Sequence, residues 1–278
     1  MKYFLFFILV IFLIFILTEK DRLFNTEEGK YAYPIKYYYY DNYQIILLGL
    51  YNTITRLSNP THTHYFKSEN FHCDNIIKSN YELIKNEAFK LYEKKNNLMN
   101  MKDLSNDAFN SIDEETNLWK VYVLKWYDKI NKTAYQECPN TCSVIDQCSD
   151  IHAAMFSIIE PGKYIPPHKG PSTGSLRYHL GLSIPKDKEN CYITVNNEKF
   201  IWEEGESLIF DDTYIHSVHN NTSEPRIILF LDIERPTTSV LSKLNKYLLQ
   251  KPDFINFIKK VNDSVEKNQS IIKETFIV

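Results

Sequence analysis

The chain is short of glycine, with seven among its 278 residues. Scarcity makes position informative, because Gly162, Gly170 and Gly174 flank a single histidine, His168. A basic stripe is also missing. The formal net charge is −3, and no clustering of Lys and Arg calls for a nucleic-acid partner. The five cysteines (Cys73, Cys138, Cys142, Cys148 and Cys191) lack the paired CxxC spacing of a zinc site. Being odd in number, they cannot all pair within one chain. The cluster Cys138, Cys142, Cys148 reads as plain thiols, or as part of a disulfide if the domain faces an oxidising lumen. No repeat period runs through the sequence.

What is present begins with one long apolar run. "YFLFFILVIFLIFIL" (Tyr3 to Leu17) carries no charge and is followed by "TEKDR" rather than by a small-x-small cleavage site. As a helix it covers about 22 Å of a hydrocarbon core of roughly 30 Å, and Lys2 and Lys20 can snorkel over the remainder. The reading is an uncleaved, single-pass membrane anchor over residues 1–18. A Tyr-rich connector and helical support region follows over 19–115, with a strand or irregular segment at Tyr37 to Tyr40. Within it, "YELIKNEAFKLYEKKNN" (Tyr81 to Asn97) has the 3.6-residue apolar period of an amphipathic helix. The histidines of "THTHYF" (His62, His64) and His72 read as exposed loop residues.

From about residue 116 to 236 the pattern is β-rich: short apolar runs separated by turn residues, including "CYITVNNEKFIW" with a hairpin-like Asn-Asn. Such spacing without intervening helices predicts a β-sandwich or barrel. Residues 237–278 read as two packing helices broken before Pro252.

In "SLRYHLGLSI" the side chains alternate. Leu176, Tyr178, Leu180 and Leu182 share one face of a strand, and Arg177 and His179 share the other. Either that polar face meets water, or it lines a barrel interior, where a buried cation needs an anionic partner. His168 closes the approach "PGKYIPP", His216 lies on a later Ile/Phe-rich strand, and Arg226 opens the apolar run "RIILFLDI". Two histidines suit Fe(II) or Zn(II), and an arginine fork suits a carboxylate.

The stretches "FSIIEPGKYIPPHKGPSTGSLRYHLGLSIP", "WEEGESLIFDDTYIHSVHN" and "RIILFLDIERP" resemble the aspartyl/asparaginyl β-hydroxylase family of Fe(II)/2-oxoglutarate dioxygenases. That family includes bacterial membrane-anchored hydroxylases of lipid A acyl chains. Over Trp119 to Pro236 the resemblance implies a double-stranded β-helix, or jelly roll: a mainly β core with flanking helices. It also implies Fe(II) held by His168 and His216, 2-oxoglutarate as cosubstrate, and O2. Arg226 would pair with the far carboxylate of 2-oxoglutarate. Arg177, His179, Ser157 and Trp119 would be further cosubstrate contacts.

The usual His-x-Asp/Glu…His triad is incomplete here, since Gly170 stands two residues after His168. The family resembled shares that gap. Asp211 or Asp212 is either a replacement ligand or an orienting neighbour. Tyr164 occupies a position where members acting on proteins carry histidine. The activity implied is insertion of one oxygen into a C–H bond of a lipid acyl chain or of an Asp/Asn side chain, near a membrane. Two other readings use the same fold: a non-catalytic jelly-roll binding module, and a cupin-like metal enzyme that does not use 2-oxoglutarate.

Overall fold

A computed structural model describes residues 42–58, 63–94, 98–104, 117–127, 129–170, 172–249 and 259–268. The larger of two sheets is antiparallel. Its order is β1 (Tyr65–Phe66), β10 (Ser207–Phe210), β7 (Ser175–Ser183), β12 (Arg226–Glu234), β5 (Ile151–Ile159), β3 (Trp119–Trp126), β2 (Met99–Asn100). The short β4 (Lys129–Ile130) pairs with β3. The smaller sheet runs β6 (Tyr164–His168), β11 (His216–Asn220), β8 (Cys191–Val195), β9 (Glu198–Ile201). Sequential strands repeatedly cross between the sheets, the double-sheet arrangement of a jelly roll.

Side chains from both sheets meet in one core, with Val121, Met155 and Ile228 packed among Ile165, Ile193 and Val218. The outer face of the larger sheet is covered as well. Tyr178, Leu180, Leu229 and Leu231 pack against Ile84, Ala88 and Leu91 of a helix over Tyr81–Lys94, and against Val144 and Ile145 of a helix over Pro139–Asp146. With both faces buried, β5, β7 and β12 carry apolar residues on the helix side. Among their inward positions, Ser157, His179, Arg226 and Asp232 are polar and buried.

Local details follow from residue type. Asn196 and Asn197 turn β8 into β9 with φ of 51° and 66°, the left-handed pair of a type I′ hairpin. Glu87 lies on the buried stripe of its helix because its carboxylate caps another. It accepts from the backbone N–H groups of Asn140 (3.0 Å) and Thr141 (2.8 Å), at the positive end of the helix over Pro139–Asp146.

Several expectations change. The connector contains a helix over Asn42–Ser58, which its aromatic-rich approach conceals. Two helices, Lys132–Glu137 and Pro139–Asp146, interrupt the β-rich stretch between β4 and β5. Cys148 pairs with Cys73 rather than with Cys138 or Cys142, which stay buried and free, as does Cys191. Within 237–278 the described residues form helices over Ser239–Leu249 and 259–268. The anchor over 1–18, Tyr37 to Tyr40 and Pro252 lie outside the described residues. Among the described residues, no helix is long and apolar enough to cross a membrane.

Candidate active site

β6 ends at His168 and β11 begins at His216, and the two are direct register partners. Their ring centres are 4.0 Å apart. Each ring is held in the same way. His168 Nδ1 donates to the Pro166 carbonyl at 2.8 Å, and His216 Nδ1 donates to the Tyr214 carbonyl at 3.0 Å. A carbonyl can only accept, so the proton sits on Nδ1 and Nε2 keeps its lone pair. Burial drives both rings toward the neutral form. His168 falls well below the usual histidine range, with the neighbouring His216 adding to the effect, and His216 falls to about 4. Two neutral imidazoles with free Nε2 lone pairs and carbonyl-anchored Nδ1–H groups fit a divalent cation.

Gly170 and Asp212 explain the missing triad carboxylate. A Cβ at position 170 would overlap the Asp212 side chain, while Gly170 N–H donates to the Asp212 carbonyl at 2.6 Å. A carboxylate does enter this corner, but from the other strand connection. Asp212 is buried, which raises its pKa, and the nearby Arg177 opposes that rise. Asp211 points elsewhere. It accepts from Thr213 N–H at 2.9 Å and pairs with Arg235, a structural assignment that removes it as a ligand.

The polar face of β7 is interior. Arg177 and His179 line a pocket that encloses about 660 Å³, including its open mouth, together with His168, His216, Asp212 and Arg226. Arg177 is occupied by two carboxylates, Asp212 at 2.8 Å and Asp232 in close contact. Its counter-charges are thus already supplied by the protein.

Arg226 differs. Its side chain is buried, no carboxylate among the described residues pairs with it, and its Nε has no hydrogen-bond partner. The ring of Trp202 lies 4.7 Å from the guanidinium carbon. Burial lowers the Arg226 pKa to about 10, which leaves it charged at neutral pH. Next to it, His179 Nδ1 accepts from Trp202 Nε1–H at 3.3 Å. Burial first, then Arg226 and Arg177, hold the His179 ring neutral. Its proton is therefore on Nε2, a buried donor with no partner. Ser157 Oγ accepts from Trp119 Nε1–H at 3.1 Å, leaving the hydroxyl hydrogen to donate into the same pocket. A buried cation and buried donors without protein partners fit an anion such as a carboxylate. The rest of the lining is mostly apolar (Ile165, Ile193, Phe210, Val218 and Phe230, with Met101 and Trp119), and Lys169 and Gly170 complete it beside His168.

All seven residues singled out in the sequence line this pocket. Trp202 and Asp232 were not among them. Trp202 stands in the quoted "WEEGES" stretch, but its role depends on a contact with β7 and β12. Of the other histidines, His72 does have partners, Cys73 and Asp150, the second brought in by folding.

The model of the family described as "Aspartyl/Asparaginyl beta-hydroxylase" matches residues 78–236. An "Ornithine lipid ester-linked acyl 2-hydroxylase" of Rhizobium tropici is 36% identical over 188 residues, covering 68% of this chain and 66% of the relative. The "Aspartyl/asparaginyl beta-hydroxylase" of Mus musculus is 33% identical over 170 residues, covering 58% of this chain, and that of Homo sapiens is 32% identical over the same length. The chain spans 21% of either mammalian protein. Among solved structures, a Cupin 2 conserved barrel domain protein from Salinispora arenicola CNS-205 aligns at 9% identity with a TM-score of 0.30. That alignment covers 49% of this chain and 88% of the other. With the family model matching more than half of its length, the chain belongs to the aspartyl/asparaginyl beta-hydroxylase family.

Proposed function

We propose that the protein is an Fe(II)/2-oxoglutarate-dependent hydroxylase that acts on a lipid acyl chain. The observation that carries this reading is Arg226, a buried, unpaired guanidinium in the same pocket as the paired imidazoles. A binding module needs no such pair of neutral histidines, and a cupin-like enzyme without 2-oxoglutarate needs no buried carboxylate clamp. Iron with 2-oxoglutarate and O2 supplies the oxidising chemistry, in which the cosubstrate leaves as succinate and CO2 and one oxygen enters a C–H bond.

The chain's own groups do the rest. His168 and His216 would hold the metal through Nε2. Arg226 would pair with the far carboxylate of the cosubstrate, with His179 Nε2–H and the Ser157 hydroxyl donating beside it and Trp119 fixing that hydroxyl. Arg177 orients Asp212 next to the histidine pair. The apolar part of the wall (Ile165, Ile193, Phe210, Val218 and Phe230) excludes water and suits a hydrocarbon chain, with Lys169 the one further cation at the lining. The Rhizobium relative acts, by its name, on an acyl chain. In this reading residues 1–18 hold the 116–236 domain at a bilayer, close to such a substrate.

The test uses the full chain with Fe(II) and 2-oxoglutarate, offered lipid extract or disulfide-bonded Asp/Asn peptides. Succinate release and a gain of one oxygen mass in an acyl chain are expected. Hydroxylation of the peptides alone would replace the substrate assignment, and no succinate in either case would overturn the reading as a whole.

A further inference from the structure

A second cluster of metal-ligating side chains lies outside the pocket. Cys73, just before the helix over Asp74–Ser79, and Cys148, just after that over Pro139–Asp146, form a disulfide with Cα atoms 6.0 Å apart. Both are buried, while the adjacent His72 is exposed and Asp150 is partly so. His72 Nε2 lies 3.2 Å from Cys73 Sγ, and His72 Nδ1 lies 3.1 Å from Asp150 Oδ2. Ligand atoms of His72, Cys73 and Asp150 all fall within 4.8 Å of one another. Cys148 Sγ, bonded to Cys73, is the fourth donor at the same corner.

In the disulfide form neither sulfur is a thiolate, and thiolate is the form that binds metal. What remains is an exposed His–Asp pair, which is weak by itself. We propose that reduction of Cys73–Cys148 turns this corner into a site for a thiophilic divalent cation of the Zn(II) class. The ligands would be two sulfurs, one imidazole nitrogen and one carboxylate oxygen, four donors each of a type that binds zinc. A dithiol reductant supplies two electrons and two protons, breaks the S–S bond and is itself oxidised to a disulfide. Each cysteine then releases its proton as the metal binds. Disulfide and metal exclude one another, so the corner reports the redox state of its surroundings through a choice between two crosslinks. Cys138 and Cys142 do not compete readily, since burial pushes both thiols up, Cys142 to about 12.

Co(II) is the probe, because sulfur-to-cobalt charge transfer reports thiolate ligation and the nitrogen ligands His168 and His216 cannot produce it. The full chain, reduced with a phosphine, is expected to gain that absorption with one equivalent of Co(II), and the unreduced chain to show none. Cys148→Ser should cut its intensity by about half or more, since one of two thiolate ligands is lost. His72→Ala and Asp150→Asn, at the surface, should each weaken cobalt binding by roughly tenfold or more. Absence of the absorption in the reduced chain overturns the proposal, as does its survival at full intensity in Cys148→Ser, which would assign it to cysteines outside this corner. If Cys148→Ser fails to fold, unchanged affinity in both surface variants has the same consequence.

Discussion

Trp202 stacks over Arg226, its ring 4.7 Å from the guanidinium carbon, and with its one N–H it sets the tautomer of His179. A single indole thus orders two of the polar groups that line the pocket. Trp202→Phe keeps an aromatic face but loses the N–H, freeing His179 to move its proton to Nδ1. Affinity for 2-oxoglutarate is expected to fall about fivefold, equivalent to roughly 1 kcal/mol, with the fold retained. A cosubstrate titration followed by succinate release checks this, and an unchanged half-saturation point would mean that His179 does not donate to the cosubstrate.

Arg226→Lys keeps the charge and removes the fork. Cosubstrate affinity should drop by roughly tenfold or more, because an ammonium group cannot match both oxygens of a carboxylate. The same titration reads it. No change would move the clamp to Arg177, despite its two carboxylate partners.

Gly170→Ala drives a methyl group into the Asp212 carboxylate. A loss of about 1–3 kcal/mol in urea unfolding is expected. In an Asp212→Gly background the same Gly170→Ala change should cost far less, since the obstructing group is gone. Simple additivity of the two changes would contradict the packing relationship.

The metal-free protein should lose stability as pH falls from neutral. The unfolded His216 takes up its proton near 6.5, whereas the folded ring resists until about 4. Between those values the unfolded state binds more protons. The contribution is therefore fully present above 6.5 and declines through the window by on the order of 3 kcal/mol. His168 and His179 shift in the same direction. Unfolding curves at pH 7 and 4.5 for the wild type and His216→Asn test this: the wild type should lose more on acidification than the variant does, and equal losses would rule it out.

Much of the site was legible because strand periodicity is a local signal. Arg177 and His179 share a parity in β7, and Arg226 is a cation at the head of an apolar strand, an arrangement that water alone does not explain. Other features depend on pairings that no local pattern encodes. Asp232 meets Arg177 only because β12 lies beside β7 in that register, and Cys73 meets Cys148 across 75 residues. The helix over Asn42–Ser58 was hidden in a connector read by its aromatic composition. The helices between β4 and β5 are only six and eight residues long, too short for their period to stand out.

The pairing of His168 with His216 lies in the ladder between β6 and β11, with a bulge immediately after it. Distance between the rings is thus set by that ladder and not by the length of the loops that join the intervening strands β7 to β10, where insertions are tolerated best. Length within either strand has no such freedom. One residue added to β6 before His168 would turn its imidazole to the opposite face of the sheet, so the site tolerates large insertions a few positions away and none at all where it is built.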